Sequence, residues 1–72
     1  MLDKNQFTKK VAQRVKELRN QKRMSQEELA HQAELYRTYV NHIESGRYSP
    51  SAYVLYKIAH ALGIRISKLI DF

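Results

Sequence analysis

The side chains with the most recognisable chemistry lie within one ten-residue stretch, residues 36–45. Wound as a helix at about 100° per residue, this stretch separates into two faces. One face is aromatic or aliphatic and is predicted to pack on the domain: Tyr36, Tyr39, Val40 and Ile43. The other face carries groups that form directional hydrogen bonds: Arg37, Thr38, Asn41, His42 and Ser45. Such groups can read base edges in DNA, and a generic hydrated surface is the alternative interpretation for this helix alone.

The charge of the chain favours a polyanionic partner. Its 72 residues include 13 Lys and Arg against 7 Asp and Glu, which gives a net charge of +6. Nucleic acid is the commonest partner of a compact basic domain, and an anionic membrane surface is the next. A merely soluble basic protein is the alternative. A hydrophobic content of 43% is too high for a disordered basic tail, so we expect one small folded domain over residues 1–72.

Several classes of protein are disfavoured by what the sequence lacks. There is no Cys for a disulfide or thiolate site, which fits a reducing cytoplasm. The apolar runs are too short for a transmembrane segment, and residues 1–10 lack the apolar region of a signal peptide. His31, His42 and His60 have no ligand partner at helical spacing. We therefore predict no metal, no cofactor, no small-molecule ligand, no membrane association and no enzymatic activity.

The pattern along the chain predicts an all-α protein with five short helices. A stripe of Phe7, Val11, Val15 and Leu18 predicts the first helix over residues 7–21. Ser25-Gln-Glu-Glu28 is a capping box that starts the second helix, residues 26–33. The third helix covers residues 36–45.

Two further helices are predicted after the third. Ser49 and Pro50 form an N-cap and first position for a fourth helix over residues 50–62, which Gly63 ends. A last short helix covers residues 66–71.

The second and third helices are joined by a link of only about three residues. Ala30 and Ala33 on the inner side of the second helix allow a close approach of its neighbour. Both features fit a helix-turn-helix motif, in which the second helix enters the major groove of DNA.

From about Val15 to Phe72 the sequence resembles the Xre/Cro-type helix-turn-helix family, which has the lambda-repressor-like fold. The resemblance is carried by three segments in order: RVKELRNQKRMSQEELA, RTYVNHIESGRYSP and VLYKIAHALGI. It implies five helices, a helix-turn-helix at about residues 26–45, and transcriptional regulation by sequence-specific binding to an operator in double-stranded DNA. Family members usually bind as two-fold dimers.

The resemblance also implies roles for individual residues. The base-reading positions of the family fall on Arg37, Thr38, Asn41 and His42. Positions near the DNA backbone fall on Ser25, Gln26, Tyr36, Tyr39 and Arg47, with Ser25 better explained as a helix cap. An ion pair common in the family maps onto Arg19 and Glu44, which we expect to orient the recognition helix.

Three positions depart from the pattern of the family. Glu34 lies in the turn where glycine is frequent, so a left-handed conformation there would cost of order 1 kcal/mol. Tyr36 and Arg65 occupy N-cap positions where a short polar side chain is usual. The start of the third helix is the uncertain boundary.

A second stripe of exposed side chains predicts a protein interface formed by helices 4 and 5, about residues 50–71. We expect its members to be too numerous for the core of so small a domain: Tyr53, Tyr56, His60, Ile64, Ile66, Ile70 and Phe72. The family resemblance places dimer contacts in the same region. The alternative is that some of these residues, with Leu69, complete the core of the monomer.

Together these observations predict a small homodimeric regulator that binds a palindromic operator. Its length resembles that of controller proteins of restriction–modification systems, which is the preferred interpretation. A phage-type repressor is one alternative, and an antitoxin that acts mainly by protein–protein neutralisation is another. An RNA-binding or co-activator module of the same fold is a third.

Overall fold

The structure is a computed structural model that describes all 72 residues and contains no strand. Four α-helices follow one another: α1 (Lys4–Gln21), α2 (Gln26–Gln32), α3 (Arg37–Glu44) and α4 (Ala52–Leu62). A single turn of 3-10 helix, Ile66–Lys68, comes last. The all-α class is confirmed.

The fifth helix predicted over residues 66–71 is this single 3-10 turn instead. Its backbone bonds join residues three apart, as in the 2.9 Å bond from Leu69 N to Ile66 O. Arg65 stands at its N-cap and supplies no side-chain hydrogen bond. The regular segment is only three residues long, a length at which 3-10 turns rather than α-helices are usual.

The starts of α1 and α2 are both fixed by capping boxes. At α2, Ser25 Oγ accepts from Glu28 N at 3.0 Å and the Glu28 carboxylate accepts from Ser25 N at 2.9 Å, as predicted. At α1, Asp3 accepts from Gln6 N at 2.8 Å and Gln6 accepts from Asp3 N at 3.0 Å. This second box begins α1 at Lys4, three residues before the predicted start at Phe7.

The predicted start of α4 is wrong by two residues. Ser51, not Ser49, is the N-cap, and its Oγ accepts from Val54 N at 3.2 Å. Pro50 therefore precedes the cap instead of occupying the first helical position. Two serines flank the proline, and Ser51 is the one whose side chain accepts the capping hydrogen bond. The helix ends at Gly63, which is left-handed with φ 69°.

One hydrophobic cluster unites the helices and positions α3. Val40 and Ile43 of α3 are fully buried in it, together with Leu29 of α2. Ala30 and Ala33 are buried as well, which agrees with the close approach of α2 and α3 that their small size predicts. The buried face of α3 fixes the direction in which its opposite face points.

Leu69 belongs to the same cluster and is fully buried. It therefore completes the core of the monomer, as the alternative interpretation proposed.

The turn between α2 and α3 contains a residue in the left-handed conformation. Glu34 has φ 56°, at the position where the sequence resemblance leads one to expect glycine. The turn therefore keeps the left-handed geometry although a side chain is present, at a cost of about 1–2 kcal/mol. Leu35 N donates to Ala30 O at 2.8 Å and Lys57 Nζ donates to Glu34 O at 3.2 Å, so the strained segment is held from both sides.

Candidate nucleic-acid interface

The four predicted base-reading residues lie together on the exposed side of α3. Arg37, Thr38, Asn41 and His42 are all exposed, whereas Val40 and Ile43 of the same helix are buried. Along the chain they are one, three and one positions apart, so they are neighbours on one face of the helix. The helix thus presents a continuous surface of hydrogen-bonding groups away from the core.

Tyr36 does not pack on the domain, which corrects its assignment to the apolar face of the third helix. It is the N-cap of α3, has an extended backbone and leaves its side chain 84% exposed. An N-cap residue lies outside the helical repeat, so its side chain does not continue the buried stripe formed by Val40 and Ile43. Its phenol is accessible beside the polar face, and contact with the DNA backbone remains a prediction.

Arg19 and Glu44 are brought together in a largely buried ion pair beneath α3. Arg19 Nε donates to Glu44 Oε2 at 2.7 Å and Arg19 Nη2 donates to Glu44 Oε1 at 3.0 Å, while their side chains are only 11% and 3% exposed. Arg19 Nη1 also donates to Met24 O at 2.6 Å. The hydrogen bond to Glu44 raises the pKa of Arg19 although burial opposes it. One guanidinium therefore joins the end of α1, the α1–α2 turn and the end of α3.

Gln26 lies between this ion pair and the exposed face of α3. Its Nε2 donates to Glu44 Oε1 at 3.1 Å, and its Oε1 accepts from Asn41 Nδ2 at 3.3 Å. The predicted phosphate contact at the start of α2 is therefore a half-buried side chain that already has two protein partners. This bridge could not be predicted from the sequence, because it joins residues of two different helices.

Tyr39 pairs with Tyr48, a residue that sequence reasoning did not select. The Tyr39 hydroxyl donates to the Tyr48 hydroxyl oxygen at 2.8 Å, and the two rings meet edge to face with centroids 4.9 Å apart. Burial and this hydrogen bond raise the pKa of Tyr39 to about 12. Tyr48 keeps its own hydrogen for an outside acceptor and is exposed beside Arg47, which is also exposed.

The remaining predicted backbone contact, Ser25, lies at the N-terminus of α2. Its hydroxyl oxygen accepts from Glu28 N in the capping box, so Ser25 serves as a helix cap and its contact with DNA stays a prediction.

An aromatic residue beside Arg47 after the helix-ending Gly46 is the only sequence signal that could have identified Tyr48. It is weak without knowledge of the chain path.

The predicted dimer-interface residues fall into two groups. Tyr56, His60, Ile64 and Ile66 line one open depression of about 330 Å³ between α4 and the 3-10 turn. The rings of Tyr56 and His60 lie nearly parallel at 6.3 Å, and Tyr53 stacks on the other side of Tyr56 at the same distance. Tyr53, Tyr56 and His60 are exposed, whereas Ile64 and Ile66 are partly buried against the core and show only one side at the depression. We call this region the α4 surface.

Ile70 and Phe72 are placed apart from that surface. Ile70 packs partly buried against the core, and the ring of Phe72 lies 5.6 Å from that of Phe7 on α1. Arg14 holds this end of the chain through a 2.6 Å ion pair with Asp71 and a 2.5 Å hydrogen bond to Lys68 O. These bonds draw the chain along α1, which is why Phe72 does not join the α4 surface.

The two remaining features of the molecule concern metal-holding groups and membrane-crossing helices. No three or more His, Cys, Asp or Glu side chains are grouped so that they could hold a metal ion. None of the helices combines the length and the apolar character that crossing a membrane requires.

The chain is similar to a known protein family and to several individual proteins. The family model described as helix-turn-helix matches residues 15–69. The chain is 42% identical over 60 residues to the immunity repressor protein of Bacillus phage phi105, covering 83% of this chain and 42% of that one. It is 43% identical over 61 residues to the control protein C.BamHI of Bacillus amyloliquefaciens, covering 83% and 75%. The chain thus spans less than half the length of the phage repressor.

One solved structure is similar to this chain over nearly the whole length of the solved protein. It is the restriction–modification controller protein C.AhdI from Aeromonas hydrophila, with a TM-score of 0.84 and 40% identity. The match covers 86% of this chain and 94% of that chain.

Proposed function

Because this chain belongs to the helix-turn-helix family of DNA-binding transcriptional regulators, we propose that it binds a palindromic operator in double-stranded DNA as a homodimer. The observation that carries the proposal is the exposed face of α3. Four adjacent side chains there offer the donors and acceptors that distinguish base pairs, while the opposite face is anchored in the core. A helix fixed in this way can present those groups to the major groove.

The chemistry of the face suggests which residues read which features. Arg37 can donate two hydrogen bonds to guanine, and Asn41 can pair with adenine through both atoms of its amide. Thr38 and His42 extend the same surface. Specificity would therefore arise from direct hydrogen bonds to base edges.

Residues around this face are suited to the phosphate backbone. Arg47 supplies a positive charge and Tyr48 an available hydroxyl hydrogen at the C-terminal end of α3, while Tyr36 and Ser25 lie at helix starts. A net charge of +6 adds a general attraction for polyanions, so affinity should fall steeply as salt is added.

A second copy of the chain is the partner that we propose for the α4 surface. Tyr56, Ile64 and Ile66 supply the aromatic and aliphatic part of a depression at that surface, which His60, Arg65 and Ser67 also line. A two-fold dimer would present two copies of α3 to half-sites about 34 Å apart.

The preferred biological role is that of a controller protein of a restriction–modification system, acting in the cytoplasm. The similarity to C.BamHI and C.AhdI covers most of those proteins, 75% and 94%, whereas only 42% of the phage repressor is matched. A phage-type repressor is the second candidate, because the identity to the phi105 immunity repressor, 42%, is nearly the same as the 43% to C.BamHI. Genes for an endonuclease and a methyltransferase beside this one would favour the controller.

Selection of bound duplexes from a random DNA pool tests the proposal. The parent chain should enrich a palindromic sequence, and Arg37→Ala should lose about 1–3 kcal/mol of discrimination at one base pair of each half-site. Arg47→Ala is the matched control, because it removes the same charge from a position outside the reading face. It should weaken all sequences alike and reduce the salt slope by about 1. A pool without a common sequence would overturn the proposal.

A further inference from the structure

A continuous set of hydrogen bonds joins the interior of the protein to the proposed reading face. It starts at the largely buried Arg19–Glu44 ion pair and continues through the 3.1 Å bond from Gln26 Nε2 to Glu44 Oε1. It reaches Asn41 Nδ2 through that group's 3.3 Å bond to Gln26 Oε1. The outermost member is exposed and the innermost is nearly fully buried.

The direction of each bond is dictated by the one before it. The Glu44 carboxylate, ionised beside Arg19, can only accept hydrogen bonds, so Gln26 must turn its NH₂ group toward it. The carbonyl oxygen of the Gln26 amide then points the other way and can only accept. Asn41 must therefore turn its own NH₂ group toward Gln26.

We propose that Gln26 is a positioning residue that fixes the amide of Asn41 in the orientation that reads adenine. The proposal rests on the proposed function, because it requires α3 to be the reading helix. Asn41 uses one N–H on Gln26 and retains the second N–H and Oδ1. These two groups match adenine, whose N7 accepts and whose N6 amino group donates in the major groove.

An Asn41 amide without this constraint would sample the reversed orientation and other side-chain rotamers. Fixing such a side chain on binding costs free energy. In the parent protein the bond to Gln26 already fixes the side chain before DNA binds, so this cost does not reduce the affinity. The cost for one polar side chain corresponds to about 2- to 12-fold in affinity. Loss of the constraint should therefore reduce the preference for adenine by about that factor at one base pair only.

This role differs from a phosphate contact in what it changes. A phosphate contact contributes to affinity for every sequence and to the salt dependence of binding. A positioning residue changes the ranking of bases at the position that Asn41 reads and leaves other positions as they were. The two roles are therefore separable in a base-by-base binding profile.

Two substitutions of Gln26 make the separation. Gln26→Lys keeps a donor for Glu44 and adds a positive charge for a phosphate, but it has no acceptor for Asn41. Gln26→Met keeps a similar volume and supplies neither bond of the amide. Thermal melting of both variants checks the fold, and Gln26→Lys serves as the variant that retains the inner half of the network.

The experiment profiles base preference for the parent, both Gln26 variants, Asn41→Ala and the double variant Gln26→Lys/Asn41→Ala. Asn41→Ala identifies the base pair that Asn41 reads. Both Gln26 variants should lose about 2- to 12-fold of adenine preference at that base pair. The double variant should lose no more preference there than Asn41→Ala alone.

Parent-like adenine preference in Gln26→Lys and Gln26→Met would overturn the positioning role, as would an equal loss at all base pairs. Arg37→Ala distinguishes this failure from failure of the proposed function. If Arg37→Ala still relaxes one base pair while the Gln26 variants change nothing, α3 reads DNA without help from Gln26. If neither Arg37→Ala nor Asn41→Ala changes any preference, α3 is not the reader and both proposals fall.

Discussion

The ion pair beneath α3 makes Glu44→Ala the most informative test of how the fold supports its proposed reading helix. The substitution leaves the Arg19 guanidinium, 11% exposed, with Met24 O as its remaining partner. Removing one member of a buried pair costs about 3–5 kcal/mol, because the other charge stays desolvated. A domain of 72 residues has a total stability of about 4–11 kcal/mol. Loss of this one carboxylate would thus consume a large part of that stability.

Thermal and urea unfolding followed by circular dichroism measure the effect. In a domain of this size 1 kcal/mol corresponds to about 4–8 °C, so Glu44→Ala should lower the melting temperature by at least about 12 °C. Asp71→Ala is the matched control, since it removes the carboxylate of the other ion pair in the same chain. Arg14 and Asp71 are 28% and 53% exposed, and loss of such a pair costs at most about 1 kcal/mol.

Two outcomes would refute the reasoning. One is a melting temperature of Glu44→Ala within about 4 °C of the parent, and the other is a loss no larger than that of Asp71→Ala. The double variant Arg19→Met/Glu44→Leu adds a check on the cause. Replacement of both charges by apolar groups is often neutral, so the double variant should recover most of the stability that Glu44→Ala loses.

Four further predictions concern strain, titration, capping and assembly. Glu34→Gly should raise the melting temperature, because glycine adopts the φ of 56° without the cost of about 1–2 kcal/mol; a lower value would contradict it. The pKa of Tyr39 is about 12 in the folded protein, against an ordinary value of 10.0. The stability that this difference contributes is present below pH 10 and should be lost as the pH rises from about 10 to 12. Tyr39→Phe should remove that loss in urea titrations. Hydrogen bonds from Ser25, that of its backbone N–H above all, lower the pKa of Glu28 below 4.5. The stability that this shift contributes is present above pH 4.5 and should be lost as the pH falls further. Glu28→Gln should therefore show a smaller decrease in melting temperature in acid than the parent. Tyr56→Asp should convert the proposed dimer to a monomer in sedimentation at about ten micromolar protein; a variant that stays dimeric would place the interface elsewhere.

Features encoded by neighbouring residues were the most predictable from the sequence. The capping box of Ser25 and Glu28 fixes the start of α2, because both bonds lie within four residues. Asp3 and Gln6 form the same kind of box and could have been recognised in the same way. The start of α4 was mistaken because Ser49 and Ser51 offer the same cap chemistry on either side of a proline, and only the backbone conformation chooses between them.

Features that depend on how distant segments meet were less predictable. The pairing of Arg19 with Glu44 was expected only through family resemblance, since the two residues are 25 positions apart. The left-handed turn at Gly46, with φ 77°, is a predictable helix end, but the Tyr39–Tyr48 hydrogen bond also depends on where the chain runs after that turn. The contact of Phe72 with α1 likewise follows from the path of the C-terminal segment.

The hydrogen bond between Gln26 and Asn41 has a consequence for how binding preference changes over generations and in the laboratory. A new residue at 41 without an amide would leave the Gln26 oxygen without its donor, while a new residue at 26 would release Asn41. Mutational paths to a new operator should therefore show epistasis between residues 26 and 41, with substitutions that succeed in pairs. Libraries that randomise both positions together should yield retargeted regulators that libraries confined to α3 miss.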